Sequence, residues 1–457
     1  MEAVKVDILS GELVKPSSPT PTHLKHYKLC LLDQFFPEIH CGILFFYSSP
    51  PGCHKNDDKN YCRILKDSLS ETLTDFYPIA GRFKDTSTID CNDDGACVVE
   101  AKLDSNLSDF LTSLSQASEK SNLHQKLGKL NPAFDSETME LASKCMLIAQ
   151  LTVFECGGTA ICFSLQHRFC DLWSVVVFLR SWSARARGSY GEIAVPSFVG
   201  SSFLPPQDLP PLPPLENPIE NRTMRRLVFE APKISALKEK LMSENRSKSA
   251  EITSVSRVEV VLALVLKSAI SAARSIDESA KKSAVFCSVN LRKRTEPPLP
   301  ENSMGNLIWT LSVETEEEEE GTEFHALVRK MKSETTSFCD EKVSRLKGEE
   351  GVSFVFESVK KRGEIVEATG DLNLYWCTSW CRFPVYETDF GWGKPVWVSS
   401  GILSSKNLIV MEDTMEDTKC GSGIQAWVTL DPKVMAIFER DEEILSFASF
   451  NPNIIVD

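Results

Sequence analysis

Apolar residues along this chain switch between two spacings, and the switches mark out its elements. Val6-Asp-Ile-Leu9 opens as a strand, and His40-Cys-Gly-Ile-Leu-Phe-Phe-Tyr47 is a stronger one. From Cys62 to Phe76 the positions Ile64, Leu65, Leu69 and Leu73 recur at helical spacing. That helix stops at Pro78, whose ring does not fit a helix interior, and Gly81 turns the chain into the next strand. Asn92-Asp-Asp-Gly95 reads as a hairpin turn between strand-like runs. A second hairpin is read in Leu151-Thr-Val-Phe-Glu-Cys-Gly-Gly-Thr-Ala-Ile-Cys-Phe163, two β-rich runs broken by Gly157-Gly158. Helical spacing returns in Trp173-Ser-Val-Val-Val-Phe-Leu-Arg-Ser-Trp182.

Residues 188 to about 222 change character. Pro196, Pro205-Pro206, Pro210-Pro211 and Pro213-Pro214 are spaced by Gly and Ser, which predicts an extended surface crossover. Beyond it come a strand at Arg225-Arg-Leu-Val-Phe-Glu230 and helices at Lys233–Ser243 and Ser256–Arg274, the latter buried around Val260 and Leu264. A strand at Val285–Asn290, a helix at Phe324–Phe338 and a late strand at Gly423–Leu430 follow. The run Glu316 to Glu320 is read as a solvated entrance to the Phe324 helix, where the helix dipole favours negative charge. A chain of 457 residues exceeds what one core supports. Two domains are therefore expected, 1–187 and 223–457, joined by the 188–222 crossover. No repeat at solenoid periods is visible.

Composition narrows the class. Apolar residues make up 42%, enough for two cores, and the net charge of −14 argues against nucleic-acid or anionic-membrane partners. An anionic ligand would need a local basic pocket. The first ten residues lack the apolar core of a signal peptide, and no run approaches the roughly 18 apolar residues of a transmembrane helix. Fifteen cysteines, an odd number scattered through apolar segments such as those of Cys162, Cys287 and Cys377, fit reduced cytosolic thiols better than a disulfide framework. The glycosylation-type triplets at Asn106, Asn221 and Asn245 carry little weight without secretion. A soluble, cytoplasmic protein is expected. Its seven histidines and fifteen cysteines show no zinc-ligand spacing, so no metal is expected. There is no P-loop and no Gly-x-Ser-x-Gly elbow. Gly421-Ser-Gly423-Ile-Gln-Ala426 imitates a dinucleotide fingerprint but leads into the strand-like Trp427-Val-Thr-Leu430, and is rejected.

The candidate chemistry lies in Phe163-Ser-Leu-Gln-His-Arg-Phe-Cys-Asp171. His167 leaves the end of a buried strand just before a helix, where a side chain is held rigidly. An imidazole titrates near physiological pH and suits removal of a proton from a hydroxyl or amine. On these residues alone a buried structural histidine fits equally well. The second signal is Asp389-Phe-Gly-Trp-Gly-Lys-Pro395, more than two hundred residues downstream.

Taken together the two segments resemble the BAHD acyltransferases, plant enzymes that move acyl groups from coenzyme A to alcohols and amines. Further landmarks, in order, are Lys15-Pro-Ser-Ser-Pro-Thr-Pro21, Leu32-Asp33, Tyr77-Pro-Ile-Ala-Gly-Arg-Phe83, Asp94-Gly95, Val289-Asn-Leu-Arg292, Pro297-Pro-Leu-Pro300, Gly305-Asn306 and Thr378-Ser-Trp-Cys-Arg-Phe-Pro384. The resemblance spans nearly the whole chain. It implies an α/β (mixed α+β) fold of two chloramphenicol-acetyltransferase-like domains, each a mixed sheet flanked by helices, with the active-site channel between them. It also implies a monomer with acyl-CoA as co-substrate and no permanently bound cofactor.

Residue roles follow from the same resemblance. His167 is the expected general base. Asp171 is expected to pair with an arginine, for which Arg292 in Asn290-x-Arg292 is the best match; a direct relay to His167 is the alternative. Thr378 and the Trp380 indole are expected to face the reacting carbonyl, where developing negative charge needs a donor; an ordinary core tryptophan is the other reading of Trp380. Asp389, Gly391 and Gly393 are expected to be structural, the glycines permitting tight turns. Coenzyme A phosphates would suit Lys248, Ser254 or Arg257 around the helix start Ser254-Val-Ser-Arg-Val-Glu259, where free N–H groups favour anions; both basic residues also read as plain surface charges.

The sequence departs from the family at Leu172, where a small residue is usual, at Arg168, commonly lysine, and at Gln425, frequently glutamate. Leu172 would either narrow the acceptor channel or pack behind the loop. The N-terminal segment and overall spacing point to the alkaloid-acetylating, vinorine-synthase-like branch, hence to acetyl-CoA and a hydroxyl of an alkaloid or terpenoid. The alternatives are a benzoyl, hydroxycinnamoyl or other larger acyl donor, an amine acceptor, or a catalytically silent ligand-binding homologue. Ser303-Met-Gly-Asn-Leu307 argues against the malonyl-transferring branch.

Overall fold

The computed structural model describes residues 5–49, 58–115, 123–131, 143–212, 222–245, 252, 254–277, 282–315, 322–369, 373–402, 405–415 and 422–454. Lys248, Pro213-Pro214, Asn221, Gly421 and the run from Glu316 to Glu320 fall outside them.

Two mixed sheets carry the molecule. The first runs β1 (Val6–Val14), β6 (Ala96–Leu103), β7 (Leu147–Phe154), β8 (Thr159–Gln166), β3 (His40–Tyr47) and β13 (Trp397–Ser399). Only β6 and β7 are parallel in it. Every residue of β7 and β8 is buried, which explains apolar runs without strict alternation: both faces of the sheet are covered. Helix α1 (Asp58–Asp75) packs beside α2 (Leu172–Ala186), where the Trp182 Nε1–H donates to the Leu65 carbonyl at 3.1 Å. A small sheet of β2 (His26–Lys28), β5 (Thr88–Asp90) and β4 (Arg82–Phe83) lies beside them.

The second sheet runs β11 (Ile308–Glu314), β10 (Ala284–Asn290), β12 (Leu374–Ser379), β14 (Leu408–Asp413), β15 (Ile424–Leu430), β9 (Thr223–Phe229) and β16 (Ser449–Phe450). Strand β12 is parallel to both neighbours, and the other pairs are antiparallel. One face is buried by α3 (Ala231–Asn245), α4 (Arg257–Arg274) and α5 (Phe324–Ser337). Helix α4 starts on a capping box in which Ser256 and Glu259 satisfy each other's backbone N–H groups, and its apolar residues Val260 to Leu266 are all buried. Helix α6 (Gly348–Ala368) covers part of the opposite face through Phe354, Val355 and Ile365.

Two features differ from the sequence expectation. Asn92–Gly95 does turn the chain, with Asp93 at φ 61° and Gly95 at φ 93°, but it is not a hairpin: β5 joins the small sheet and β6 the first large one. The turn is held from outside itself. The Asp93 carboxylate accepts from Thr20 N at 3.0 Å and Lys25 Nζ at 2.8 Å, and Gly95 N donates to the Ala80 carbonyl at 2.9 Å. The second difference is β13, which lies late in the chain yet pairs with β3 of the first sheet. The proline-rich crossover is fixed to the first half at its start, where Gln34 and Gln207 exchange hydrogen bonds at 2.8 Å.

Candidate active site

The strand–turn–helix from β8 to α2 positions the histidine. Its backbone N–H donates to the Ile39 carbonyl at 2.8 Å, and its own carbonyl accepts from Asn306 Nδ2 at 2.7 Å. The half-buried imidazole stacks on Phe36 with centroids 4.6 Å apart and rings inclined by 23°. Burial pushes its pKa below the ordinary histidine value, against the opposing pull of Asp171, so the ring is neutral at pH 7. Nδ1 has no hydrogen-bond partner among the described residues.

Asp171 faces elsewhere. As N-cap of α2 it accepts from Ser174 N at 2.8 Å, which satisfies one of the free donors at the helix start. Its two oxygens also take the Arg292 guanidinium at 2.7 and 3.0 Å and Leu307 N at 3.1 Å. Both side chains of this pair are 2% exposed. Arg292 spends its remaining donors on the carbonyls of Ser303 (2.8 and 3.0 Å) and Gly305 (3.2 Å). A buried ion pair is tolerable only when its leftover donors and acceptors are satisfied in this way.

A second buried carboxylate completes the network. Asp33 accepts from Cys30 N at 2.8 Å and from both Asn306 N and Asn306 Nδ2, at 2.6 and 3.0 Å. Burial pushes its pKa up to about 7 against those hydrogen bonds. Asn306 thus bridges Asp33 to the carbonyl of His167. Asp33, Ser174, Phe36 and Asn306 were not among the site residues read from sequence, although Leu32-Asp33 and Gly305-Asn306 stood among the landmarks. The signal was a small polar residue next to an apolar run, without its long-range partner.

Thr378 is the penultimate residue of β12, and Trp380 directly follows the strand. Trp380 N donates to the Met411 carbonyl at 2.7 Å, while the Thr378 hydroxyl and the Trp380 indole N–H find no partner among the described residues. Both side chains are half-buried. The chain after them reaches the start of α2, where Phe383 meets Trp173 edge-to-face at 5.3 Å.

The remaining candidates lie apart. Asp389 Oδ1 accepts from Gly391 N (2.8 Å) and Gly393 N (3.0 Å), with φ of +109° and +107° at the two glycines. The Asp389 carbonyl takes the guanidinium of Arg187 at 2.8 Å, at the far end of α2 from Asp171. Fifteen residues of helix separate the two motifs, about 22 Å at 1.5 Å per residue. Arg257 is engaged with Asp413 at 2.9 Å and Ser422 Oγ at 3.0 Å, and Ser254 Oγ with Lys332 at 3.3 Å. A phosphate at Arg257 would compete with Asp413.

Comparison with known proteins decides the family. A profile described as the Transferase family matches residues 4–445. Stemmadenine O-acetyltransferase of Catharanthus roseus is 35% identical, covering 96% of this chain and 97% of that one. The chain belongs to the BAHD acyltransferases. Limonoid 1-O-acetyltransferase of Citrus sinensis is 34% identical over 99% of this chain and all of its own length. The crystal structure of vinorine synthase matches with a TM-score of 0.79 at 31% identity, covering 97% of this chain and 99% of that one. F. graminearum TRI101 complexed with coenzyme A and T-2 mycotoxin shares the fold, at a TM-score of 0.70 and 16% identity over 93% of this chain and 100% of that one. This BAHD chain is therefore an acyl-CoA-dependent acyltransferase with two sheet-containing domains. Among the described residues no helix is long and apolar enough to cross a membrane.

Proposed function

We propose that this BAHD enzyme transfers an acetyl group from acetyl-CoA to a hydroxyl of a plant specialised metabolite, an alkaloid or terpenoid alcohol, with His167 as general base. The observation that carries the reading is the state of His167, an imidazole neutral through burial and clamped at both of its backbone groups at the end of a buried strand. Neutral imidazole accepts the hydroxyl proton as the oxygen attacks the thioester carbonyl. The tetrahedral oxyanion is held by the Thr378 hydroxyl and the Trp380 indole N–H, both on half-buried side chains at the end of β12. Collapse breaks the carbon–sulfur bond, and the departing thiolate takes the proton back from His167. Asp171 is a positioning residue, fixing the loop through Arg292. The acetyltransferase names of the relatives support the acetyl donor, and the coenzyme A in the TRI101 complex supports acyl-CoA as co-substrate. A monomeric, cytosolic enzyme goes with this reading.

His167→Ala is the test. It should lower transfer from acetyl-CoA by about 10²–10⁴-fold while the melting temperature stays near that of the wild type. Activity above a tenth of wild type would remove His167 from the proton transfer.

A further inference from the structure

Helix α6 was not visible in the sequence reading, yet it supplies one wall of a cavity that leads to the site. Val355, Ser358, Val359 and Arg362 fall at i, i+3, i+4 and i+7, one face of the helix, and all four line a space of about 210 Å³. The opposite wall is Leu32, Phe35 and Phe36, and Phe36 is the ring stacked on His167. The floor is the second sheet, through Ile308, Thr310 and Trp376. Side chains two apart on a strand share a face. Trp376 and Thr378 therefore lie on the same face of β12, about 7 Å apart along the strand. The alternation agrees, with Tyr375 and Cys377 buried in the core beneath. One end of the cavity is thus walled by the ring stacked on the proposed base, and the other runs toward the proposed oxyanion donor. Its lining includes the rings of Phe35, Phe36, Trp309 and Trp376, the last of them 39% exposed.

Arg362 is the only formally charged side chain among the described residues lining this space. It is half-buried and has no hydrogen bond or ion pair among them. Burial lowers its pKa with no carboxylate pulling the other way. A guanidinium left so is anomalous here: Arg168, Arg185, Arg257 and Arg292 all find carboxylates. A planar fork of N–H donors in a partly dry, aromatic-walled space matches a carboxylate, which it binds with two parallel hydrogen bonds. A cationic amine there would be repelled.

We infer that Arg362 is a specificity residue and that the acceptor is an apolar ring-bearing alcohol carrying a carboxylate, seated in this cavity with the carboxylate on Arg362 and its hydroxyl toward His167. This rests on the acyltransferase reading of the site but selects within it, against a cationic alkaloid.

Binding and turnover separate the two claims. Calorimetry with 2-naphthoate and 2-naphthamide should give about tenfold tighter binding of the acid to the wild-type enzyme, and equal binding to Arg362→Met. Arg362→Lys should recover part of the preference. Equal affinities in the wild type, or an acid preference unchanged in Arg362→Met, would overturn the inference, as would failure of 2-naphthoate to bind a folded wild-type enzyme. Thiol release from acetyl-CoA is then followed with 6-hydroxymethyl-2-naphthoic acid and its methyl ester. The acid should have the lower KM in the wild type, a difference lost in Arg362→Met. Acetylation of the ester with equal or lower KM overturns the assignment of Arg362 and leaves the acyltransferase reading standing. Absence of thiol release with either alcohol, despite 2-naphthoate binding through Arg362, would strike the proposed reaction and leave the anion site standing.

Discussion

Asp171 accepts five hydrogen bonds, from Ser174, Arg292 and Leu307, and His167 is not a donor of any of them. A relay from His167 through Asp171 has no contact to run through in this arrangement. Asp171→Ala leaves Arg292 buried without its counter-charge, so it should cost about 3–5 kcal/mol of stability and lower activity together. Thermal denaturation checks it: an unchanged melting temperature would mean that the pair does not hold the loop. Leu172 is a different case. It is half-buried at the first position of α2 and packs against the first core, so the structure favours packing over narrowing the acceptor channel. Leu172→Ala should cost about 1–2 kcal/mol, below the usual 2–5 for a fully buried leucine, and leave the ranking of acceptors as it was. A reordered acceptor ranking at unchanged stability would put Leu172 in the channel. The pH profile of kcat/KM offers a further check on the base. Burial holds the His167 pKa below its ordinary value of about 6.5, so the acid limb should lie below that pH and the rate should be flat above it. A limb centred above pH 7 would contradict a buried neutral imidazole.

At the scale of elements, Asp389 and its two glycines form a closed turn whose carboxylate oxygen collects two N–H groups. The rings of Phe390 and Trp392 pack with Trp182, Tyr47 and Tyr61, at the opposite end of α2 from His167. Asp389→Ala should lower the melting temperature, while activity per folded molecule stays within about threefold, because effects at sites more than about 10 Å apart without shared partners are largely independent. A hundredfold loss in fully folded enzyme would tie the turn to the chemistry after all. Elements whose signal is local were legible in the sequence: the β7–β8 hairpin with its Gly157-Gly158 turn, the α1 stripe ending at Pro78, and α4 behind Ser256. Those that depend on distant partners were not. The turn at Asn92–Gly95 has hairpin residues, but Thr20, Lys25 and Ala80 send its flanking strands to different sheets. Helix α6 carries Gly351 and Gly363 and a mixed, half-exposed surface, so its spacing is faint. The site divides the same way. His167 and Asp171 could be read because they sit in one short segment, whereas Asp33 and Asn306 are 273 residues apart and meet only in three dimensions.

The two sheets meet at a buried carboxylate, and its burial predicts a pH-dependent contribution to the stability of the molecule. Strand β13 of the first sheet approaches β14 and β15 of the second. There Glu412 accepts from Ser400 N at 2.8 Å, Gln425 Nε2 at 2.5 Å and Trp427 Nε1 at 3.2 Å. Gln425, the departure noted in the sequence, also donates to the Val398 carbonyl at 2.9 Å, so its amide bridges the sheets where a second carboxylate would repel Glu412. Burial pushes the Glu412 pKa up to about 7 against these hydrogen bonds. Its unfolded value is about 4.3, so the folded state holds the proton more tightly. The stabilisation is complete below that lower value and is lost as the pH rises through about 7, at up to about 1.4 kcal/mol per pH unit in between. Asp33, raised to about 7 chiefly by burial, acts in the same direction. His124, which is buried, and the half-buried His40 and His167, all held below their ordinary value by desolvation, act in the opposite one: their contribution is lost as the pH falls below about 6.5. The melting temperature of the wild type alone therefore mixes signs, and the informative quantity is its difference from Glu412→Gln. Glutamine cannot ionise, so the wild type's advantage over it should shrink by several degrees between pH 5 and pH 8. A difference that stays constant across that range would mean that Glu412 does not change its charge at the seam, and that the junction of the two sheets is insensitive to pH.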